Sequence, residues 1–262
     1  MNKDVITLIG HGYIGTSIAK KLSLDEIKFE WIKHNELIPL NTRFVINAAG
    51  YTGVPNVDAC EIYKDECVEG NVLFPLQLEK SFDGPILHIS SGCVYTGYEK
   101  DYDEIDEPNF TFNNASFYSA CKVLEQKLLE PYLIKSYLFR IRMPFGKEKT
   151  QKNLLTKLET YDKLIDKENS ITQIDDLADC VSYFVKNIPD FGIYNVTNIG
   201  STTTKKIADA MGLAKEWMTE QEFASITKAP RSNCVLSTKK LESVYRMRSV
   251  EESLFDTIKN YK

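Results

Sequence analysis

The chain is poor in the residues that build metal centres and disulfide frameworks. It has only three histidines, His11, His34 and His88, and none has a cysteine partner at a metal-ligand spacing. The six cysteines include no C-x-x-C pair; they are Cys60, Cys67, Cys93, Cys121, Cys180 and Cys234. This scatter argues against a zinc site and a disulfide scaffold, and it predicts reduced intracellular thiols.

An excess of positive charge and long apolar runs are also absent. The sequence has 32 Lys and Arg residues against 37 Asp and Glu residues, so it lacks the basic footprint of a nucleic-acid-binding protein. No apolar run approaches the roughly 20 residues of a membrane span. Met1–Asp4 lead directly into a strand-like run, without the features of a signal peptide. We therefore expect a cytoplasmic protein that binds a small molecule, with no membrane or nucleic-acid partner.

Short apolar runs alternate with helical patterns, which predicts βαβ units and a parallel sheet. The predicted strands are Val5–Ile9, Lys28–Ile32, Arg43–Ala49, Pro85–Ser90, Tyr137–Arg142 and Gly192–Thr197. The predicted helices are one that ends at Leu22, Val57–Tyr63, Glu66–Lys80, one around Tyr118, Asn153–Tyr161, Asp175–Asn187, Thr202–Met211, Thr219–Ile226, Ser237–Ser243 and Ser249–Lys259. A long polar loop, Thr96–Ser116, precedes the Tyr118 helix.

These elements predict an α/β fold, a Rossmann-type doubly wound parallel sheet with a small, mainly helical C-terminal substrate lobe. Residues 1–143, with strand and helix segments within 171–197, would form the dinucleotide-binding domain. Residues 144–170 and 198–262 would form the lobe, laid over the ends of the strands.

A glycine-rich turn separates the first strand from the first helix. Its sequence is Gly10-His11-Gly12-Tyr13-Ile14-Gly15, a G-x-G-x-x-G pattern in which small residues let a pyrophosphate approach the positive end of a helix. The third strand ends in Asn47-Ala48-Ala49-Gly50, which leaves similar room. We expect both segments to bind a dinucleotide; the alternative for the first is a tight turn without a ligand.

The second strand is followed by Lys33, where NAD-binding folds place an acid for the ribose hydroxyls. A basic residue suits the 2′-phosphate of NADP, although Lys33 could equally be a solvated turn residue. The pattern favours NADPH as the cofactor.

Tyr118 and Lys122 are four residues apart on a predicted helix, so their side chains share one face. A neighbouring ammonium lowers the pKa of a tyrosine, which can then exchange a proton with a substrate oxygen near neutral pH. Such pairs also occur by chance on solvated helices. Their meaning depends on the other motifs.

The ordered set of these motifs resembles the extended short-chain dehydrogenase/reductases. The resemblance is greater to the bifunctional 3,5-epimerase/4-reductases of UDP-rhamnose synthesis, and more distant to the dTDP-4-dehydrorhamnose reductases. It runs from about residue 5 to 258 and is carried by NAAGYTGVPNVDACE, EPNFTFNNASFYSACK, RIRMP, GIYNVTN and APRSNCVLSTKKL. The glycine-rich turn is one residue shorter than in the family, and the segment His34–Thr42 lacks a helix often found there.

The resemblance implies a reductase triad of Ser91, Tyr118 and Lys122. Ser91 and Tyr118 would hold the 4-keto oxygen of the sugar, and Tyr118 would protonate it. Lys122 would lower the pKa of Tyr118 and hold the nicotinamide ribose, while the cofactor supplies the hydride. Asn71 joins the expected cofactor contacts, and Thr52 joins the expected substrate contacts.

Two further residues imply a second reaction. Cys93 resembles the acid/base cysteine of GDP-mannose 3,5-epimerase and GDP-fucose synthase, and Lys157 resembles its partner on the helix after RIRMP. A 4-keto group acidifies the hydrogens on carbons 3 and 5, so one group can remove a proton and the other can return it on the opposite face. Judged by residue type alone, Cys93 would be a small buried hydrophobe and Lys157 a solvated helix residue.

Arg231 and Asn153 resemble the substrate-diphosphate contacts of the lobe. An arginine can clamp phosphate oxygens with two donors, and Asn153 opens the helix that carries Lys157. The alternative for Arg231 is a surface ion pair.

The sequence thus predicts an NADPH-dependent 3,5-epimerase/4-keto-reductase that converts UDP- or dTDP-4-keto-6-deoxy-D-glucose to the L-rhamnose nucleotide. One alternative is a dTDP-4-dehydrorhamnose reductase without epimerase activity. Another is a non-catalytic NADP-binding regulatory subunit, a kind of member that this superfamily contains. The helices flanking Asn71 and Tyr118 often form a dimeric bundle in the superfamily, which makes a homodimer one expected state.

Overall fold

The computed structural model describes residues 4–111 and 113–262. Its strands are β1 (Val5–Ile9), β2 (Phe29–Ile32), β3 (Thr42–Asn47), β4 (Ile86–Ser91), β5 (Tyr137–Ile141), β6 (Pro144–Phe145), β7 (Lys163–Leu164), β8 (Glu168–Asn169), β9 (Thr172–Gln173), β10 (Gly192–Asn195), β11 (Thr202–Thr203) and β12 (Glu216–Trp217). Met1–Lys3, predicted to lead into the first strand, and Phe112, in the predicted polar loop, lie outside the described residues.

The helices lie between and after these strands, and they are also numbered in chain order. They are α1 (Tyr13–Leu24), α2 (Lys64–Val68), α3 (Phe74–Ser81), α4 (Phe117–Leu129), α5 (Leu154–Thr160), α6 (Ile174–Asn187), α7 (Thr204–Ala210), α8 (Glu220–Ile226), α9 (Lys239–Glu242) and α10 (Val250–Lys259). A π-helical turn, Glu69–Leu73, joins α2 to α3, so that the two continue as one helical rod.

Six strands form one parallel sheet in the order β2-β1-β3-β4-β5-β10. The direction of the chain across the sheet reverses at β1, between β2 and β3, and ligands of open α/β sheets bind at such a switch point. The register pairs Ile9 with Asn47 and Ser91 with Ile141. The glycine-rich turn, the end of β3 and Ser91 therefore meet at the same edge of the sheet.

Helices cover both faces of the sheet, which explains why β1 is buried along its whole length. On one face α1 packs beside α6, and Ser17 donates a hydrogen bond to the Ile174 carbonyl at 3.0 Å. On the other face, Leu78 of α3 packs in a buried cluster with Val45 and Ile86. The predicted Rossmann-type fold is confirmed.

A second hydrophobic cluster lies outside the large sheet. Its buried members come from β6, α5, α7 and α10, among others; they are Phe145, Leu154, Leu155, Leu158, Leu164, Ile171, Ile207, Val250 and Leu254. Apart from Ile171, which falls in the segment 171–197 assigned to the other domain, the cluster lies within the part of the chain that was expected to form the lobe. The division into two domains stays a prediction.

Several predicted helices differ from the observed elements. The predicted helix 57–63 is a 3₁₀ turn, Val57–Glu61, and Thr202–Thr203 pair with β8 before α7 begins. The predicted helix 237–243 shrinks to the single turn α9, because the Ser237 amide donates to the Tyr102 carbonyl at 2.8 Å. Such hydrogen bonds between distant segments leave no mark on the local sequence pattern.

The glycine-rich turn is tightly packed where its glycines stand. Gly10 has a φ of +106°, and a Cβ there would lie 2.7 Å from the Ala48 carbonyl carbon. A Cβ on Gly15 would lie 2.1 Å from the Gly10 carbonyl oxygen, so only glycine lets α1 start this close to β1. Gly12 caps α1 and has no atom within 4 Å of its ideal Cβ, which leaves its backbone open to a ligand.

No helix in the described ranges 4–111 and 113–262 is both long enough and apolar enough to span a bilayer.

We expect Gly15→Ala to destabilise the protein more than Gly12→Ala. The new methyl group of Gly15→Ala meets backbone rather than a movable side chain, which should cost about 2 kcal/mol or more in the free energy of unfolding. Gly12→Ala is the matched control, with an expected cost of about 0.5–1 kcal/mol because alanine is a poorer helix N-cap than glycine. Urea unfolding followed by circular dichroism measures both; equal losses would show that the close approach does not govern stability.

Candidate active site

Ser91, Tyr118 and Lys122 are brought together at the carboxyl edge of the sheet. Ser91 ends β4, and Tyr118 and Lys122 lie on consecutive turns of α4. The helix begins here because the Ser116 hydroxyl caps it, accepting from the Ser119 amide at 3.1 Å. All three site side chains are buried, and Ser91 is close enough to Tyr118 to influence its pKa.

The protonation of Tyr118 differs from the prediction. Burial, followed by the proximity of Cys93, raises the pKa of Tyr118 well above its usual value, while Ser91 acts to lower it. The net shift of the Tyr118 pKa is opposite to the lowering that was expected from Lys122. The Lys122 ammonium lies 3.0 Å from Glu125 Oε2, and the Glu125 charge itself raises the pKa of Tyr118. Tyr118 is therefore a neutral phenol, suited to donate a proton.

Cys93 lies directly beside the triad. Its amide donates to the Ser91 hydroxyl at 3.0 Å, and its sulfur accepts a hydrogen bond from Arg142 Nη1 at 3.0 Å. It is half-buried, whereas the other five cysteines are fully buried. Cys93 is thus the thiol that faces the site.

Lys157 of α5 lies near enough to Cys93 to interact with it electrostatically. Burial, then the positive charges of Lys152 and Arg231, lower the pKa of Lys157, and Cys93 acts in the opposite direction. Cys93 also influences Tyr118. The role of Cys93 and Lys157 as an acid/base pair stays a prediction.

Arg231 is held by a carboxylate. Its Nη1 and Nη2 atoms donate to the two oxygens of Asp58, each at 2.8 Å, and this pairing holds the pKa of Asp58 below its usual value. Arg231 therefore forms an ion pair, which was the alternative to a phosphate contact. Asp58 belongs to the 3₁₀ turn 57–61, so the pair fixes Arg231 over the loop that contains Thr52.

Lys152 adds a cation that sequence reasoning did not assign to the site. Its ammonium donates to Thr52 Oγ1 at 2.8 Å and to the Gly53 carbonyl, and burial lowers its pKa. Lys152, Lys157 and Arg231 form a cluster of three cations whose charges act on one another. An anion placed among them would relieve this repulsion.

Asn153 occupies a different position from the one expected of a ligand contact. Its Oδ1 accepts from the Leu155 amide at 3.0 Å, and its Nδ2 donates to the carbonyls of Gly146 and Glu148 at 2.7 and 2.8 Å. The side chain is fully buried, so it shapes the loop that positions Lys152 and Lys157. Direct contact with a diphosphate stays a prediction.

The expected cofactor segments lie side by side. Asn47 shapes the NAAG turn, because its Oδ1 accepts from the Ala49 amide at 3.1 Å. Asn71, in the π-helical turn, exchanges two hydrogen bonds with the Tyr51 backbone, at 2.7 and 3.2 Å, and so holds the segment after Gly50. Asn71 is fully buried and acts here as a clamp on the loop.

The adenosine side of the turn is more open. His11 stacks on Trp31, with ring centroids 4.4 Å apart, and Trp31 Nε1 donates to the Gly10 carbonyl at 2.9 Å. Lys33 is exposed at the end of β2, and the Tyr13 hydroxyl is buried without a hydrogen-bond partner in the described part of the chain. Together with the open Gly12 backbone, this arrangement fits a dinucleotide.

Three residues at the site were missed or unassigned, and each left a signal. Arg142 lies two residues after Arg140 in an apolar strand, so the two share a sheet face and had to be buried together. Glu125 stands three residues after Lys122, which places it on the same helix face. Lys152 belongs to a run of lysines at positions 147, 149 and 152.

A switch-point sheet with a glycine-rich turn, and a Ser-Tyr-Lys set at the same edge, define an extended short-chain dehydrogenase/reductase. Comparison with known families makes this more specific. The chain belongs to the family described as the RmlD substrate binding domain, whose model matches residues 18–262.

Known proteins of similar sequence act in rhamnose synthesis. The bifunctional dTDP-4-dehydrorhamnose 3,5-epimerase/dTDP-4-dehydrorhamnose reductase of Arabidopsis thaliana is 35% identical over 231 residues, covering 80% of this chain and 74% of that protein. A trifunctional UDP-glucose 4,6-dehydratase/UDP-4-keto-6-deoxy-D-glucose 3,5-epimerase/UDP-4-keto-L-rhamnose-reductase of the same plant is 30% identical, and the chain spans 40% of its length.

Solved structures share the fold. The L780 UDP-rhamnose synthase from Acanthamoeba polyphaga mimivirus has a TM-score of 0.90 at 24% identity, covering 98% of this chain and 99% of that one. The dTDP-4-dehydrorhamnose reductase from Bacillus anthracis, solved in complex with NADP, has a TM-score of 0.80 at 19% identity, covering 97% and 98%.

The Asp58–Arg231 pair should make stability depend on pH. Because the pKa of Asp58 is lowered in the folded state, its contribution is present above the unfolded value near 4 and is lost as the pH falls through the folded value. We expect Asp58→Asn to lose less unfolding free energy than the wild type between pH 5 and pH 2.5. Asp101→Asn, an exposed carboxylate with no ion pair in the described residues, is the control. Parallel pH curves for all three proteins would contradict the assignment.

Proposed function

We propose that the chain is an NADPH-dependent 3,5-epimerase/4-keto-reductase acting on UDP- or dTDP-4-keto-6-deoxy-D-glucose, with the L-rhamnose nucleotide as product. The observation that carries the proposal is the position of Cys93, whose amide donates to Ser91 and which influences both Tyr118 and Lys157. A reductase needs the triad alone; a second pair of proton-transfer groups at the same place suits epimerisation. The bifunctional and trifunctional plant relatives support the same combination.

In the reduction, Ser91 and Tyr118 donate hydrogen bonds to the keto oxygen. The raised pKa of Tyr118 keeps its proton available for the alkoxide that develops there. NADPH supplies the hydride. Lys122 would contact the nicotinamide ribose while it keeps its ion pair with Glu125.

The cofactor would lie along the switch point of the sheet. The turn Gly10–Gly15, the segment Asn47–Gly50 and Lys33 would contact it, with Asn71 fixing the loop. NADP in the Bacillus anthracis reductase supports this choice of cofactor. Residues 1–143, with segments of 171–197, would form the domain that holds it.

The epimerisation uses the same oxygen. Cys93 or Lys157 removes a proton from carbon 3 or 5, and the electron pair moves onto the keto oxygen as an enolate. Ser91 and Tyr118 then face the enolate oxygen as donors, as they face the alkoxide in the reduction. The other member of the pair returns a proton on the opposite face. One pocket therefore serves both reactions.

The diphosphate of the substrate would lie among Lys152, Lys157 and Arg231, beside Thr52. Its negative charge offsets their mutual repulsion, and Arg231 can share its fork between Asp58 and a phosphate oxygen. The remaining residues, 144–170 and 198–262, would form the lobe that encloses the sugar nucleotide. A homodimer through the helices that carry Asn71 and Tyr118 is part of the proposal.

Cys93→Ala separates the two activities. With UDP- or dTDP-4-keto-6-deoxy-D-glucose and NADPH in D₂O, the variant should lose deuterium incorporation at carbons 3 and 5. It should still reduce a 4-keto sugar that has already been epimerised, because Ser91, Tyr118 and Lys122 remain. NMR of the products identifies each outcome and the preferred nucleotide.

Tyr118→Phe is the companion variant. It should lose reduction of both the 4-keto-6-deoxy-D-glucose nucleotide and the already epimerised 4-keto sugar. If the folded Cys93→Ala variant lost both activities, the division of labour would be wrong. If the wild type reduced the epimerised sugar but never incorporated deuterium, the chain would be a reductase only. Failure to oxidise NADPH with any 4-keto sugar nucleotide would support the regulatory subunit.

Lys152→Ala and Arg231→Ala should each raise the KM for the nucleotide sugar about tenfold or more, since each removes a charge-assisted hydrogen bond. The KM for NADPH should change less than about twofold, a factor worth only some 0.4 kcal/mol. Lys149→Ala is the control from the same loop, because Lys149 is exposed and pairs with Glu159 at 2.7 Å. A larger rise in the NADPH KM would count against the diphosphate site.

A further inference from the structure

Arg142 is a fully buried guanidinium at the end of β5, with its donors directed at the site. Nη1 donates to Cys93 Sγ at 3.0 Å and to Ser232 Oγ at 2.7 Å, and Nη2 donates to the Ser232 carbonyl at 3.0 Å and to Asn169 Oδ1. These bonds hold the guanidinium in one orientation.

Gly92, between Ser91 and Cys93, makes this approach feasible. A Cβ on Gly92 would lie 2.9 Å from Arg142 Cδ, so the arginine stem lies directly against the backbone before Cys93. The strand end that carries Ser91 is therefore built around Arg142. The contact with the sulfur is part of the packing rather than the reach of a flexible side chain.

The charge of Arg142 has no carboxylate partner in the described residues. Its hydrogen bonds reach an amide, a backbone carbonyl, a hydroxyl and one sulfur. An arginine stays protonated in proteins, and burying such a charge without an anion costs several kcal/mol. The hydrogen-bonded group that can become an anion is the thiol of Cys93.

Four ionisable groups on different elements lie near enough to Cys93 to interact with it electrostatically. They are Tyr118 of α4, Arg142 after β5, Lys157 of α5 and Cys234 in the loop before α9. Two of them, Arg142 and Lys157, are cations when protonated, and Arg142 is the one that hydrogen-bonds to the sulfur. Cys234 is fully buried, and its sulfur contacts the Gly92 carbonyl at 3.9 Å rather than the guanidinium.

We propose that Arg142 is a positioning residue that holds the Cys93 sulfur as a thiolate aimed into the site. The inference rests on the proposed epimerase activity and assigns the roles within it. The thiolate takes the proton from the sugar carbon: the C–H bond breaks, an S–H bond forms, and the electron pair moves to the keto oxygen. Lys157, as an ammonium, returns a proton to the opposite face, so that a new C–H bond forms and the ketone is restored. Solvent then removes the thiol proton and reprotonates the amine.

Alkylation with iodoacetamide tests this without turnover, because the thiolate is the reactive form. The full-length protein would be alkylated between pH 6 and pH 9, and the rate at Cys93 measured by peptide mass spectrometry. The five buried cysteines should react slowly, and Cys93→Ala gives the background. We expect Cys93 to react at pH 6.5 at close to its pH 9 rate.

Arg142→Met should slow this reaction about tenfold at pH 6.5 while leaving the rate at pH 9 nearly unchanged, because one pH unit corresponds to a tenfold change in thiolate. Arg142→Lys, which keeps the charge, should recover most of the rate at pH 6.5. If Arg142 had a purely structural role, the substitution would change the alkylation rates at pH 6.5 and pH 9 by the same factor, and that result would overturn the proposal. Thermal unfolding verifies that each variant is folded.

If Arg142→Met does not fold, the pH dependence of Cys93 alkylation in the wild-type protein tests the thiolate. The alkylation rate of Cys93 in the folded protein must then rise at a lower pH than that of the same cysteine in the urea-unfolded chain. If it rises at the same or a higher pH, Cys93 is not held as a thiolate. Reaction at low pH together with no deuterium incorporation would reject the epimerase and retain the Arg142–Cys93 pair. The two proposals therefore fail separately.

Discussion

The position of α4 depends on one buried carboxylate. Glu125 accepts a hydrogen bond from Ser90 of β4 and pairs with Lys122 of α4, so it ties the helix to the sheet. Because a buried charge that loses a partner costs several kcal/mol, neither contact is readily given up. Ser91 follows Ser90, and Tyr118 lies one turn before Lys122. The same contact therefore fixes how far the hydroxyl of Ser91 stands from the phenol of Tyr118.

The site carries a charge of opposite sign to that of the whole molecule. The chain has a net charge of −5, yet Arg142 contacts Cys93, and Lys152 and Arg231 act on Lys157, which Cys93 also influences. Asp58 pairs with Arg231, and the described residues supply no carboxylate to the other three cations. A positively charged site on a negatively charged protein attracts anions to that site, while the rest of the surface repels them. Such a field suits a ligand whose charge lies in a diphosphate.

Much of the fold followed from the sequence because buried parallel strands are continuous apolar runs. Val5–Ile9, the end of the third strand near Asn47, and Ser91 at the end of the fourth were placed to within a residue or two. Elements held by distant partners were not. The helix expected at 237–243 gave way to a hydrogen bond with Tyr102, which is over 130 residues away in sequence.

At the site, motifs identified which residues converge but not their charge states. The sequence placed Tyr118 beside Lys122 and suggested a low tyrosine pKa. Burial raises the pKa of Tyr118 instead, because the phenol is removed from water and Glu125 pairs with the charge of Lys122. The contact of Arg142 with Cys93 was not predicted for a related reason: the role of an arginine in an apolar strand depends on partners that the local sequence does not show. Charge balance is a property of the folded surroundings.

The π-helical turn at Glu69–Leu73 has a consequence for the geometry of the rod that α2 and α3 form. One residue corresponds to about 100° of rotation around a helix axis. In a regular helix Asn71 and Leu78, seven residues apart, would lie on nearly the same face. The extra residue rotates one relative to the other, and Asn71 bonds to the Tyr51 backbone while Leu78 packs beside Ile86. The turn therefore acts as a phase shift, which lets one rod present a site-facing half and a core-facing half at independent angles.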